Sequence, residues 1–201
     1  MITDLITSAA SFGWVQWLAF IFNVIYVILA AKENIWCWFF GFVGVALLFV
    51  IYLDARLFSD ALLQVFYMIM SVYGWINWSK KDSRIIPITR ASLRDHLLYI
   101  SIGVFATFLL GFIFSQMEAA VPYADAFTSA FAVVATFLVA RKVLENWIYW
   151  IVIDTVCVGV YWYRQLALLS LLFAIYSILA MVGWIKWHRN WSQTRASDST
   201  R

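Results

Sequence analysis

Long apolar runs separated by short polar turns fill almost the whole chain. A helix needs about 20 largely apolar residues to cross a bilayer, at ~1.5 Å of rise each. Seven runs meet that length: 12–31, 35–53, 61–78, 97–116, 124–140, 146–163 and 166–187. Open sheet edges cannot sit in lipid, so the pattern predicts seven transmembrane helices. The connections are short except 79–95, which is basic.

The polar residues between the runs then orient the chain. Counting loops alternately divides them into two sets. One holds Lys32, Lys80, Lys81, Arg84, Arg90, Arg94, Arg141, Lys142, Lys186, Arg189, Arg195 and Arg201, and the other only Arg56 and Arg164. Positive charge stays on the cytoplasmic side, so the N-terminus is expected outside and the C-terminus inside. Glu118 and Asp125 then fall outside. The tail 188–201 is polar and reads as a disordered, solvated segment.

Composition agrees with a lipid environment. Of 201 residues, 65% are hydrophobic and 12% charged, whereas a soluble domain is about half apolar and a quarter charged. This excludes a soluble enzyme, a disordered chain and a nucleic-acid binder. Met1 to Ser11 lacks the basic start of a cleaved signal peptide. Cys37 and Cys157 sit in apolar runs, and His96 and His188 stand apart, so no metal, cofactor or disulfide framework is expected. Lipid alone does not explain 12 Trp. Eight of these lie at cytoplasmic span ends: Trp36, Trp38, Trp75, Trp78, Trp147, Trp150, Trp184 and Trp187. The default for most is the interfacial belt.

The same tryptophans reveal an internal repeat. Gly74-Trp75-Ile76-Asn77-Trp78 closes span 3, and Gly183-Trp184-Ile185-Lys186-Trp187 closes span 7, 109 residues later. Tyr67 and Tyr176 each precede the glycine by seven residues. Glu33-Asn34, with Trp38, opens span 2, and Glu145-Asn146, with Trp150, opens span 6, an offset of 112 that requires a short gap. Three-helix units (12–78 and 124–187) joined by a loop and linker helix (79–123) give a 3+1+3 parallel plan. Substrate in such transporters sits between the halves.

Function is then sought in the few polar residues within the spans. Asp154 is the one ionisable residue well inside a span, about eight residues or ~12 Å from its start. A carboxylate there costs ~2.5–3.5 kcal/mol on insertion scales, so it must face a cavity, find a partner or be protonated. A cation-recognising group and an interhelical acceptor are both open to it. Asn146, Trp150 and Asp154 share one helix face. Asn23 and Gln64 are amides that either glue helices or contact ligand. Gln64, Tyr67, Ser71, Trp75 and Trp78 form a stripe matched by Tyr176, Ala180, Trp184 and Trp187. Trp147 and Trp150 are the best candidates for an aromatic cage around a cationic ring. Gly41 and Gly44 provide close approach or a hinge. No second catalytic group accompanies Asp154, which disfavours an intramembrane enzyme; a structural membrane subunit is the other alternative.

The run Leu62-Leu63-Gln64-Val65-Phe66-Tyr67, with Tyr73-Gly74-Trp75 and Trp78, resembles span 3 of the Pnu vitamin-transporter family. Glu145-Asn146-Trp147, Trp150 and Asp154 resemble its span 6. Its best-known members are the PnuC-like nicotinamide riboside transporters. The resemblance covers all seven spans. It implies a SWEET-like 3+1+3 fold in the bacterial inner membrane. It further implies facilitated uptake of a small cationic vitamin without ATP or a coupling ion, followed by trapping through a cytoplasmic kinase. Nicotinamide riboside is the leading substrate, and thiamine, carried by relatives of the same fold, is the alternative. The family's binding residues fall on Gln64, Tyr67, Asn146, Trp147 and Trp150. Fold analogy allows a homo-oligomer.

Overall fold

The computed structural model describes residues 13–54, 58–79, 87–117 and 120–199. Among these the chain forms seven helices: α1 (Trp14–Ala31), α2 (Cys37–Asp54), α3 (Phe58–Trp78), α4 (Leu93–Gln116), α5 (Pro122–Ala140), α6 (Asn146–Tyr163) and α7 (Ala167–Ser199). No strand forms among the described residues; Thr89 and Val143 make one isolated bridge. Five helices (α1, α2, α4, α5 and α7) are long and apolar enough to cross a membrane. The other two, α3 and α6, fall short because polar and aromatic residues dilute them: Asp60, Gln64 and Asn77 in one, Asn146 and Asp154 in the other.

Turn chemistry fixes the helix ends. α1 and α5 both stop at a basic C-cap, Lys32 and Arg141, with nearly identical dihedrals (φ −94°, ψ 6° and φ −93°, ψ 5°). The next residues, Glu33 and Lys142, take left-handed backbone. α4 starts on a capping box between Ser92 and Asp95, which satisfies two otherwise orphaned N–H groups. α5 starts with Pro122 in its first turn, where a missing N–H costs nothing.

Neighbour relations define a ring. α1 packs on α2, α2 on α3, α3 on α5, α5 on α6, α6 on α7, and α7 back on α1. α4 packs on α5 alone among the major contacts, outside the ring. Helix bounds correspond at a constant offset of 109: α1 and α5 end at 31 and 140, while α2 and α6 span 37–54 and 146–163. The gap expected from pairing Glu33-Asn34 with Glu145-Asn146 therefore disappears. Cys37 corresponds to Asn146, and Trp38 to Trp147.

Packing repeats at the same offset. Trp38 lies against Gly74, and Trp147 against Gly183. A β-carbon at either glycine would press into the indole ring, so only glycine admits these close approaches. Gly41 and Gly44 face Tyr26 and Asn23 just as closely. They are contact points between α1 and α2.

Two expectations change. The tail is helical: α7 runs through His188 to Ser199, and Asn190 Nδ2 donates to Glu33 Oε1 at 2.8 Å. The eight span-end tryptophans are mostly not a surface belt. Of the eight, only Trp36 is exposed, at 54%. Trp38, Trp147 and Trp187 are buried, and Trp75, Trp78, Trp150 and Trp184 pack against them in one cluster. An indole at a helix end reaches inward when a glycine on the next helix leaves it room.

Candidate functional site

Two adjoining cavities lie among the ring helices. The larger, about 430 Å³, is walled mainly by α1, α2, α6 and α7. The second, about 300 Å³, draws its polar wall from α3 and α5. Asn23, Tyr26, Tyr52, Trp150, Tyr161 and Phe173 belong to both walls. α4 contributes to neither.

Of the eight residues singled out from sequence, seven line these cavities. Trp147, Asp154 and Tyr176 face the larger one. Gln64 and Tyr67 face the smaller, and Asn23 and Trp150 face both. Asn146 faces neither; it is fully buried at the start of α6, where Nδ2 donates to Val143 O at 2.6 Å. Glu145 is likewise structural. It accepts from Arg90 Nε at 2.7 Å and Ala91 N at 3.1 Å, strapping the segment before α4 onto the α5–α6 turn.

The two cavities differ in chemistry. Around Asp154 the larger is aromatic, with Phe20, Tyr26, Trp147, Trp150, Phe173 and Tyr176. Asp154 is 3% exposed and makes no hydrogen bond or ion pair with any described residue. No Lys or Arg among the described residues lines either cavity. The smaller cavity carries an amide, Gln64, and the hydroxyls Ser71, Thr128, Ser129 and Thr136. Ser71, Thr128 and Thr136 donate to carbonyls of their own helices, at 2.8 Å to Tyr67, 3.0 Å to Asp125 and 2.7 Å to Ala132. Their oxygens are left as acceptors. Asn23 behaves alike, with Nδ2 donating to Ala19 O at 2.8 Å.

An indole layer closes one end of the cavities. Trp38 and Trp78 meet edge to face at 5.4 Å, Trp147 and Trp187 at 5.5 Å, and Trp78 lies 6.1 Å from Trp187. Trp78 Nε1 donates to Ala140 O and Trp187 Nε1 to Ala30 O, each at 3.1 Å. Beyond them Lys142 Nζ lies 4.7 Å over the Trp78 ring and pairs with Glu33 Oε2 at 3.0 Å. By contrast, Trp38 Nε1 and Trp147 Nε1, each on a cavity wall, have no hydrogen-bond partner among the described residues, nor does Asn146 Oδ1. Buried N–H groups are normally satisfied.

Several wall residues escaped the sequence reading, notably Tyr26, Tyr52, Tyr161 and Phe173. Tyr52 and Tyr161 stand 109 residues apart, so the repeat carried through without a gap pairs them.

Comparison with known proteins fits this architecture. The sequence model of the nicotinamide mononucleotide transporter family matches residues 13–189. The nicotinamide riboside transporter PnuC of Escherichia coli is 26% identical over 203 aligned residues, covering 87% of this chain and 85% of that protein. The riboflavin/roseoflavin transporter RibM of Streptomyces davaonensis is 22% identical, over 90% of this chain and 86% of its own. The crystal structure of the vitamin B3 transporter PnuC superposes with a TM-score of 0.74 at 19% identity, covering 96% of this chain and 88% of that one. It shares the fold. The chain belongs to the nicotinamide mononucleotide transporter family, and is a multi-pass inner-membrane transporter rather than an enzyme.

Proposed function

We propose that this transporter carries nicotinamide riboside into the cell by facilitated uptake. One observation carries the choice: Asp154, buried without a partner among the described residues, on the wall of an aromatic cavity that no described Lys or Arg lines. A flat cationic ring satisfies both features. The carboxylate supplies the counter-charge, and the indole and phenol faces supply stacking and cation–π attraction. The hydroxyl-rich cavity around Gln64 suits a sugar, whose O–H groups donate to the acceptor oxygens of Ser71, Thr128 and Thr136. The site residues of this reading are Asn23, Gln64, Tyr67, Trp147, Trp150, Asp154 and Tyr176. Asn146 acts behind them by seating the start of α6.

The same reading assigns α1–α3 and α5–α7 to parallel halves of a 3+1+3 plan, with α4 as linker. The constant 109-residue offset supports it, as does the exchange of α1·α7 for α3·α5 contacts on swapping halves. Seven spans put the N-terminus outside and the indole layer at the cytoplasmic end, where Lys and Arg concentrate. A cytoplasmic kinase then traps the riboside, because a phosphate ester is an anion that the Asp154 cavity repels.

Purified protein titrated with nicotinamide riboside and with thiamine, followed by Trp fluorescence, tests the substrate. Saturable binding of the riboside is expected. Tight thiamine binding with no riboside response moves the assignment to thiamine, whose thiazolium ring meets the same carboxylate. Liposomes that take up neither compound overturn the vitamin-uptake reading.

A further inference from the structure

We propose, resting on the transport reading above, that the indole N–H of Trp38 binds a sugar hydroxyl of the substrate, so that Trp38 and Trp147 hold its two ends in one orientation. The two tryptophans are equivalent at the 109-residue offset, each packed against a glycine, Gly74 and Gly183. Both are buried, at 1% and 3% exposure. The indole layer holds a second equivalent pair, Trp78 and Trp187, whose N–H groups donate to Ala140 O and Ala30 O. Trp38 Nε1 and Trp147 Nε1, by contrast, have no partner among the described residues. An indole N–H can only donate, and a buried one is normally satisfied. Trp38 lines the second cavity, so the acceptor for its N–H comes from what occupies that cavity.

Around this shared frame the equivalent positions differ. Ser71 stands three residues before Gly74, about one turn along α3, and its equivalent before Gly183 is Ala180. Ser71 lines the second cavity and donates its own proton to Tyr67 O at 2.8 Å, which leaves its oxygen as an acceptor. Val45 of α2 lines the second cavity, and its equivalent, Asp154 of α6, lines the larger one. Trp38 therefore has a hydroxyl acceptor one turn away and an apolar residue where Trp147 has a carboxylate.

A sugar hydroxyl uses the first arrangement fully. It donates its proton to Ser71 Oγ and accepts the N–H of Trp38. A cationic ring uses the second, between the Asp154 carboxylate and the aromatic faces of the larger cavity. Turning the substrate end for end sets the cation beside Val45 and away from Asp154. The repeat thus supplies two like indoles, and the residues that break the repeat decide which end of the substrate each one meets.

The experiment uses the full chain in detergent, titrated by calorimetry with nicotinamide riboside and with its 2′-, 3′- and 5′-deoxy analogues. Trp38→Phe removes the N–H. Replacing Trp38 by benzothienylalanine also removes it, while a sulfur keeps the ring volume against Gly74, so the readout survives if Phe loosens the packing. Either change is expected to weaken riboside binding about three- to tenfold, the worth of one hydrogen bond. In the wild type one deoxy analogue shows the same loss. In the variants that analogue loses nothing further, because the hydroxyl and the N–H act as a pair. Ser71→Ala singles out the same analogue. Unchanged riboside affinity in the benzothienylalanine protein assigns the N–H to water and overturns the proposal. A loss that adds in full to that of every deoxy analogue also overturns it, since the N–H then meets no sugar hydroxyl. Both of these results leave the transport reading standing, whereas a wild type that binds no riboside removes both.

Discussion

Glu33 and Lys142 stand 109 residues apart, pair at 3.0 Å, and both hold left-handed backbone, at φ 55° and 53°. Neither is the glycine that such a conformation favours. Each turns the chain from one helix into the next, α1 into α2 and α5 into α6. Residues that correspond under a two-fold relation can touch each other only near its axis. Trp78 and Trp187, at the same offset, also meet there. Under the proposed parallel plan, the pair marks where the two halves join.

Breaking that pair is expected to loosen the junction. Lys142 is buried and Glu33 is mostly covered, at 17% exposure, so Lys142→Met leaves an acid with less than its full partner set. A loss of about 2 kcal/mol is expected, below the cost for a fully buried pair. Glu33→Lys combined with Lys142→Glu recovers part of it. Thermal melts in detergent measure this, and single variants that melt like wild type refute the junction's role.

Two indoles of the one layer separate structure from binding. Trp187→Phe removes one of the N–H groups bonded to Ala30 O, which keeps Glu33 N at 2.9 Å, and should cost about 0.5–1.5 kcal/mol of stability from the lost hydrogen bond. Trp147→Phe removes an N–H with no partner among the described residues. Its stability loss should come from packing alone and be smaller than that of Trp187→Phe, while riboside affinity falls, because the indole lines the larger cavity. Equal melting losses in the two variants contradict this division.

Glycine packing gives a second contrast. In Gly183→Ala the new methyl meets the Trp147 ring, at 2.7 Å from its nearest atoms. Overpacking of that kind costs about 1–3 kcal/mol, and a displaced Trp147 should also weaken binding. Gly159→Ala meets nothing within 4 Å and gains helix propensity, so it should be neutral or about 0.5–1 kcal/mol more stable. Melting temperature and Trp-fluorescence titration of both variants settle the comparison.

Asp154→Ala should keep the fold and lose the ligand. No group among the described residues bonds to this carboxylate, so the melting temperature stays level or rises. Nicotinamide riboside affinity should fall at least tenfold, the equivalent of about 1.4 kcal/mol. Unchanged affinity in an intact variant would return Asp154 to a structural role.

The apolar runs alone placed the helices, since a segment with no water around it must satisfy its backbone internally, and helices are the local solution. The observed bounds differ by a few residues because a polar first turn, such as Leu93 to His96, is helical without being apolar. Asp154, Gln64 and Asn23 were legible because a polar group in an apolar run is costly without a reason. The tertiary structure decided what letters cannot carry. Glu33-Asn34 and Glu145-Asn146 look alike, yet Glu33 pairs with Lys142 across the halves while Glu145 anchors Arg90 and Ala91. Asn146 shares a helix face with Asp154 but ends in the packed core, because side-chain direction and burial depend on which helix lies opposite. Tyr26, Tyr52 and Phe173 reach the cavities for the same reason. They are apolar-run aromatics like many others until α1, α2 and α7 are set in the ring. The sequence by itself determined the elements and the cost of its buried charge; the closing of six helices around a common space decided which side chains face it.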